Sequence, residues 1–268
     1  PCTTLCALRP PWDSYKCHFM PWLALNLCYQ HRRSSGTFLP ENSQDKIITD
    51  EDIFVMLLKV FETLFINDLS KQTHILALCP EIRHKYLELP TPELGRPCVR
   101  ARSRRCQHVC SPEEVHFNTL GFSIAQDQSS LLSAGTAVFL SKGFVPKGTV
   151  VSMYSGTVYR KYEPIFFQSL GNPFNFRCIY GVLIDGNDKG LSRAVSCSRR
   201  DWISPLQTSD ASWLTAALQN LLAIGQYVNN CSRKKAANVC YQEFDVLGSF
   251  PVELKQYLPN TVYRHNIQ

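Results

Sequence analysis

The sequence predicts an α+β chain of 268 residues, with an N-terminal helical region followed by a β-rich domain. Three observations predict it. Ile53, Leu57, Val60 and Leu64 recur three and four residues apart, the spacing that stacks side chains on one face of a helix. Beyond Gly121 that period gives way to short apolar runs broken by glycine, the pattern of strands and turns. A composition of 44% hydrophobic and 19% charged residues is enough for one sizeable core and a smaller satellite, and is unlike that of a disordered chain.

Residues 1–45 mix Pro, Trp, Cys and His without a sustained period and read as an irregular arm. Residues 46–92 form the helical region. Thr49 with Asp52 approximates a capping box, and the apolar stripe carries a helix over residues 50–66. A shorter helix is expected over 70–79, with Pro80 stopping it, and a third over 81–89 before Pro90 and Pro92. The stripe is expected to pack on the β-rich domain, since an isolated amphipathic helix of this length is marginal in water. Residues 93–110 read as a basic Cys/Arg linker and residues 111–268 as the β-rich domain. Ser111-Pro112-Glu113-Glu114 combines an N-cap, a proline at the first helical position and acids near the positive helix end, and Gly121 is a suitable stop. Strands are expected over 137–140, 149–154, 179–184 and 238–245, with Pro146-Lys147-Gly148 and Asp185-Gly186-Asn187 as turns. In the middle section, Phe166, Phe167, Phe174 and Phe176 read as core, because buried Phe is common and exposed Phe clusters are not. No internal repeat is apparent.

Twelve cysteines spread from Cys2 to Cys240 show no disulfide framework, which suits reduced thiols in an intracellular protein, nuclear or cytoplasmic. No apolar run approaches the roughly 18 residues of a membrane span. The chain opens on Pro1, so a targeting signal upstream would lie outside it. The net charge of +6 is uneven: Arg96, Arg100, Arg102, Arg104 and Arg105 cluster where no acid occurs. Such a run could touch phosphates, but no aromatic residue is interleaved for base stacking, so it reads as a solvated linker rather than a nucleic-acid site. Cys98, Cys106, His108 and Cys110 offer enough ligands for zinc, at a spacing that matches no familiar finger, and no metal site is assigned. There is no Walker-type loop, hydrolase serine elbow or HExxH.

Two ordered stretches are more specific. Residues 133–156, SAGTAVFLSKGFVPKGTVVSMYSG, give a glycine loop, a short strand, a basic-Gly turn and a second strand ending in Gly. Residues 225–246, GQYVNNCSRKKAANVCYQEFDV, give an aromatic-apolar run, paired asparagines and a second Asn opening an alternating strand. In this order they resemble the SET-domain lysine methyltransferases, over about residues 22–263. The resemblance implies a SET-type β domain, S-adenosylmethionine as cofactor and a protein substrate with a target lysine; it leaves the oligomeric state open. It places Gly135, Thr136 and Ala137 against the cofactor, where a small side chain allows close backbone approach, together with Tyr227, Asn229 and Asn230. Asn229 can donate and accept at once, which suits the donor's amino-acid head group. Asn230 stands where the family has histidine, Ala137 where it usually has glycine, and Ala237-Asn238 matches the family's Pro-Asn step. Taken without the resemblance, Asn-Asn-Cys-Ser is an Asx-type turn and the glycine loop a plain turn before a strand. The hydroxyl of Tyr227 or Tyr154 is a candidate to face the lysine channel, unless each ring simply packs. The family continues past the equivalent of Tyr263 into a Gly-Glu-Glu-Leu strand and a channel tyrosine, whereas this sequence runs TVYRHNIQ and ends. The expectation is therefore a C-terminally incomplete domain that binds the cofactor weakly or not at all and has no assigned catalytic residue. The alternative is a non-catalytic interaction module on a partial SET fold.

Overall fold

A computed structural model describes residues 47–87, 109–130, 135–160, 163–178, 181–200, 207–229, 237–246 and 248–263. The N-terminal arm, the arginine cluster, Cys98, Cys106, His108 and Asn230 lie outside the described residues.

Helix α1 (Asp50–Asn67) starts where the sequence predicts it. The Thr49 hydroxyl accepts the Asp52 backbone N–H at 3.1 Å, and acids at residues 50–52 face the positive end of the helix. Its stripe, Ile53, Leu57, Val60 and Leu64, is buried along with Phe61 and Phe65. A 3₁₀ turn (Leu69–Lys71), α2 (Thr73–Leu78) and α3 (Pro80–Leu87) follow. Pro80 therefore begins a helix as well as ending one, as its fixed φ and missing N–H allow. Helix α4 (Pro112–Leu120) has a complete capping box: Ser111 Oγ accepts the Glu114 N–H at 3.2 Å, and the Glu114 carboxylate accepts the Ser111 N–H at 2.8 Å. Gly121 closes it with φ 81°, a left-handed conformation open to glycine.

Strands β1 (Phe122–Gln128) and β2 (Thr136–Gly143) form an antiparallel pair with an irregularity at Ser123/Ile124. A second sheet has the order β4-β5-β3-β6, built from β3 (Gly156–Tyr159), β4 (Asn175–Arg177), β5 (Leu183–Asp185) and β6 (Asn260–Val262). All its pairings are antiparallel except β3 with β6. Between them lie the short α5 (Phe166–Ser169) and α6 (Gly190–Arg200). One hydrophobic cluster joins α1 to β1, to Leu222 and Ile224, and to the 3₁₀ segment Val252–Tyr257. Phe61 meets the rings of Phe250 and Tyr257 at 6.1 and 5.6 Å. Two amide side chains fasten distant backbone: Asn67 exchanges two hydrogen bonds of 2.9 Å with the backbone of Cys110, and Gln242 binds the N–H and C=O of Ile48 at 3.1 and 2.7 Å.

Three sequence expectations are corrected. Residues 149–154 form no strand, because the Met153 N–H and C=O are taken by Leu222 and Gly225. Residues 238–245 have no ladder partner, although their alternation survives: Tyr241 joins an aromatic group while Gln242 binds Ile48 and Phe244 packs on the main core. Phe166 and Phe167 are not core, Phe167 being 70% exposed, since both belong to the four-residue helix α5. The sequence reading also passes over β1, β3, β4, β6, α5 and α6. The four strands are too short or too polar to carry a period, α5 is a single turn, and α6 is rich in Ser and Arg.

Two buried titratable groups make opposite contributions to acid stability. His116 is buried with Nε2 accepting the Leu221 N–H at 3.3 Å, and burial lowers its pKa from 6.5 to about 4. The unfolded chain binds more protons between those values, so this group's contribution is present above pH 6.5 and is lost as pH falls through 4. Asp210 accepts the Ser212 N–H at 2.6 Å and the Ser212 hydroxyl at 2.9 Å, and burial raises its pKa from 3.8 to about 6. Its contribution is present below pH 3.8 and is lost as pH rises through 6. Each is worth about 3 kcal/mol, so they offset each other over the shared window. His116→Gln, which keeps an acceptor for Leu221, is expected to leave a chain whose urea midpoint falls from pH 4 to 6, and Asp210→Asn one whose midpoint rises. Profiles that match the parent in both variants would refute the assignment.

Candidate functional site

The site is built where three distant segments meet. The Gly225 N–H donates to the Met153 carbonyl at 2.8 Å, the Met153 N–H donates to Leu222 at 2.6 Å, and Ser155 Oγ donates to Ala223 at 2.8 Å. The same stretch is held by the chain's last strand: the Gly156 N–H donates to Pro259 at 3.0 Å and Asn260 Nδ2 to the Tyr154 carbonyl at 2.8 Å. These bonds fix the 3₁₀ turn Gly225–Tyr227 at the entrance to β3.

Asn229 leaves that turn and reaches the glycine loop. Its Nδ2 donates to Ser129 Oγ at 3.2 Å, and the Ser129 backbone N–H donates to the Gly135 carbonyl at 2.7 Å. Ser129 thus joins two motifs about a hundred residues apart. Gly135 has φ 66°, and a Cβ placed on it would meet nothing within 4 Å among the described residues. Thr136 is exposed and pairs with Gln128. Ala137, opposite Asp127, is 6% exposed, so its methyl is covered by protein and does not project into the space beside Gly135.

The other contact of the turn is aromatic. Tyr241 Oη donates to the Gly225 carbonyl at 3.1 Å, and the Tyr241 ring packs with Phe176 at 4.8 Å and Tyr154 at 5.8 Å. Tyr154 Oη donates to the Phe174 carbonyl at 2.6 Å, and burial pushes its pKa well above the ordinary phenol range. The proton of that hydroxyl is committed to the backbone, and its oxygen keeps its acceptor capacity. Tyr227 meets the ring of Phe174 edge-on at 5.8 Å, and burial, then the neighbouring Asp188 carboxylate, raise its pKa to about 12. Burial, then the charges of Glu243 and Asp245, push the Cys178 thiol up to about 11.

The chain is 56% identical over 260 residues to human SET domain-containing protein 9, covering 96% of this chain and 86% of that one. The chain belongs to the SET-domain family. A second SET domain-containing protein 9, from Pongo abelii, is 57% identical over 232 residues, 85% of each chain. No family model matches the chain, and neither does a solved structure. The α+β architecture agrees with a SET-type domain, and no helix among the described residues is long and apolar enough to cross a membrane.

Of the six residues expected at the site of this SET-domain protein, Gly135 and Asn229 are linked through Ser129, with Thr136 and Ala137 continuing from Gly135 into β2. Tyr227 lies two residues before Asn229 in the same turn, with its ring on Phe174. Ser129, Phe176 and Tyr241 escape the sequence reading. For Tyr241 a signal exists, since the alternation over residues 238–245 puts it on one face with Val239 and Glu243. Ser129 gives none: a serine in the polar run QDQSS looks like any turn residue until its partner arrives.

Proposed function

We propose that the chain binds S-adenosylmethionine at Gly135 and Asn229 and transfers its methyl group to a lysine of a protein substrate. What carries the reading is that one segment is tied on two sides: Asn229, just past the turn, binds Ser129, which holds the Gly135 carbonyl, and the Gly225 carbonyl accepts from Tyr241 of the aromatic group. The residues present fit the cofactor. Among the described residues nothing fills the space beside the bare backbone of Gly135, and Asn229 offers an amide for a head group carrying both charges. The cofactor when bound supplies an electrophilic methyl on sulfonium. The chain's own part is alignment and electrostatics. Tyr154, Phe176 and Tyr241 offer aromatic surface, which favours an approaching ammonium. Burial beside the cofactor's sulfonium cation would then favour loss of the proton that the lysine amine must give up before it attacks.

Calorimetry with S-adenosylmethionine tests the first half of this reading, and transfer of labelled methyl to lysine-rich proteins tests the second. Binding is expected, with Asn229→Ala weakening it by about tenfold or more. Binding unchanged by that substitution would move the site elsewhere. Binding without transfer to any lysine substrate would favour the non-catalytic interaction module.

A further inference from the structure

We infer that Ser129 is a positioning residue for the methyl donor's amino-acid head group, an inference that rests on the cofactor reading above. Ser129 touches both halves of the site at once: its backbone N–H holds the Gly135 carbonyl at 2.7 Å, and its Oγ takes the Asn229 Nδ2 at 3.2 Å. The second bond fixes where the Asn229 amide sits. With Nδ2 donating to Ser129, the acceptor Oδ1 is the end that this bond leaves for a ligand, and an acceptor is what a cationic ammonium requires. A serine hydroxyl can donate as well as accept, so the bond sets the place of the amide rather than choosing its orientation. Ser129 therefore holds the amide in place and ties it to Gly135. The fold supports this without depending on it: Ser129 follows the last residue of β1, is only half-buried, and belongs to neither hydrophobic cluster.

The experiment compares two ligands by calorimetry on the full chain: S-adenosylmethionine, and methylthioadenosine, which keeps the adenosine and sulfur but lacks the amino-acid head group. Ser129→Ala is expected to weaken S-adenosylmethionine by about five- to tenfold, to leave methylthioadenosine affinity within about twofold of the parent, and to leave Tm unchanged. Ser129→Thr, which retains Oγ, should restore most of the loss. In the Asn229→Ala background, Ser129→Ala should add almost nothing, because the two act through one amide. Equal weakening of both ligands would make Ser129 a general support for the loop and overturn the inference, as would no change with either ligand. If the unaltered chain binds neither ligand, the cofactor reading itself fails and takes this inference with it.

Discussion

Leu57→Asp is expected to unfold the chain. Leu57 is 1% exposed at the centre of α1, in the cluster that also holds Phe250, Leu254 and Tyr257 from the far end of the sequence. Losing a buried leucine costs about 2–5 kcal/mol, and an unpaired carboxylate placed among those rings adds several more. The sum approaches the whole stability of an ordinary domain, about 5–15 kcal/mol. Val55, on the same helix, is 64% exposed. Val55→Asp should therefore melt within a few degrees of the parent, which separates burial from helix propensity. Thermal melting followed by circular dichroism reads both variants; a cooperative Leu57→Asp transition near the parent's would show that the stripe is not the core.

The second large effect is at Gly225, through space rather than backbone freedom. A Cβ there would lie 2.6 Å from the Met153 carbonyl oxygen and 2.9 Å from the Tyr154 nitrogen. Neither atom can yield cheaply, because Met153 is bonded to Leu222 and to Gly225 itself, and Tyr154 to Asn260 and Phe174. Gly225→Ala should destabilise the chain by about 2–4 kcal/mol and, by lifting the turn off β3, displace Asn229 from Ser129. Gly135→Ala is the contrasting case. Its methyl meets no neighbour among the described residues and incurs only the left-handed strain, about 1–2 kcal/mol, yet it stands where the proposed donor approaches. Urea denaturation and calorimetry on the two variants should give a large stability loss for Gly225→Ala and a binding loss out of proportion to stability for Gly135→Ala. Equal stability losses would show that the backbone at Met153 moves freely.

The sequence by itself determined what local forces decide. Thr49 and Ser111 start helices because their hydroxyls reach backbone N–H groups three residues away, Gly121 ends one because it accepts a positive φ, and the α1 stripe needs only its own period. The two motifs were likewise legible as short ordered strings, so the SET family could be read from them. What the tertiary structure alone decided is where non-local hydrogen bonds go. Residues 149–154 have every local reason to be a strand and are not one, because Leu222 and Gly225 occupy the Met153 backbone. The meeting of Gly135 with Asn229 depends on Ser129, whose side chain takes a partner about a hundred residues on. Local sequence carries the energy of a cap or a stripe. It carries no record of which distant amide will fill a hydroxyl's remaining valence, and that choice falls to the packed chain.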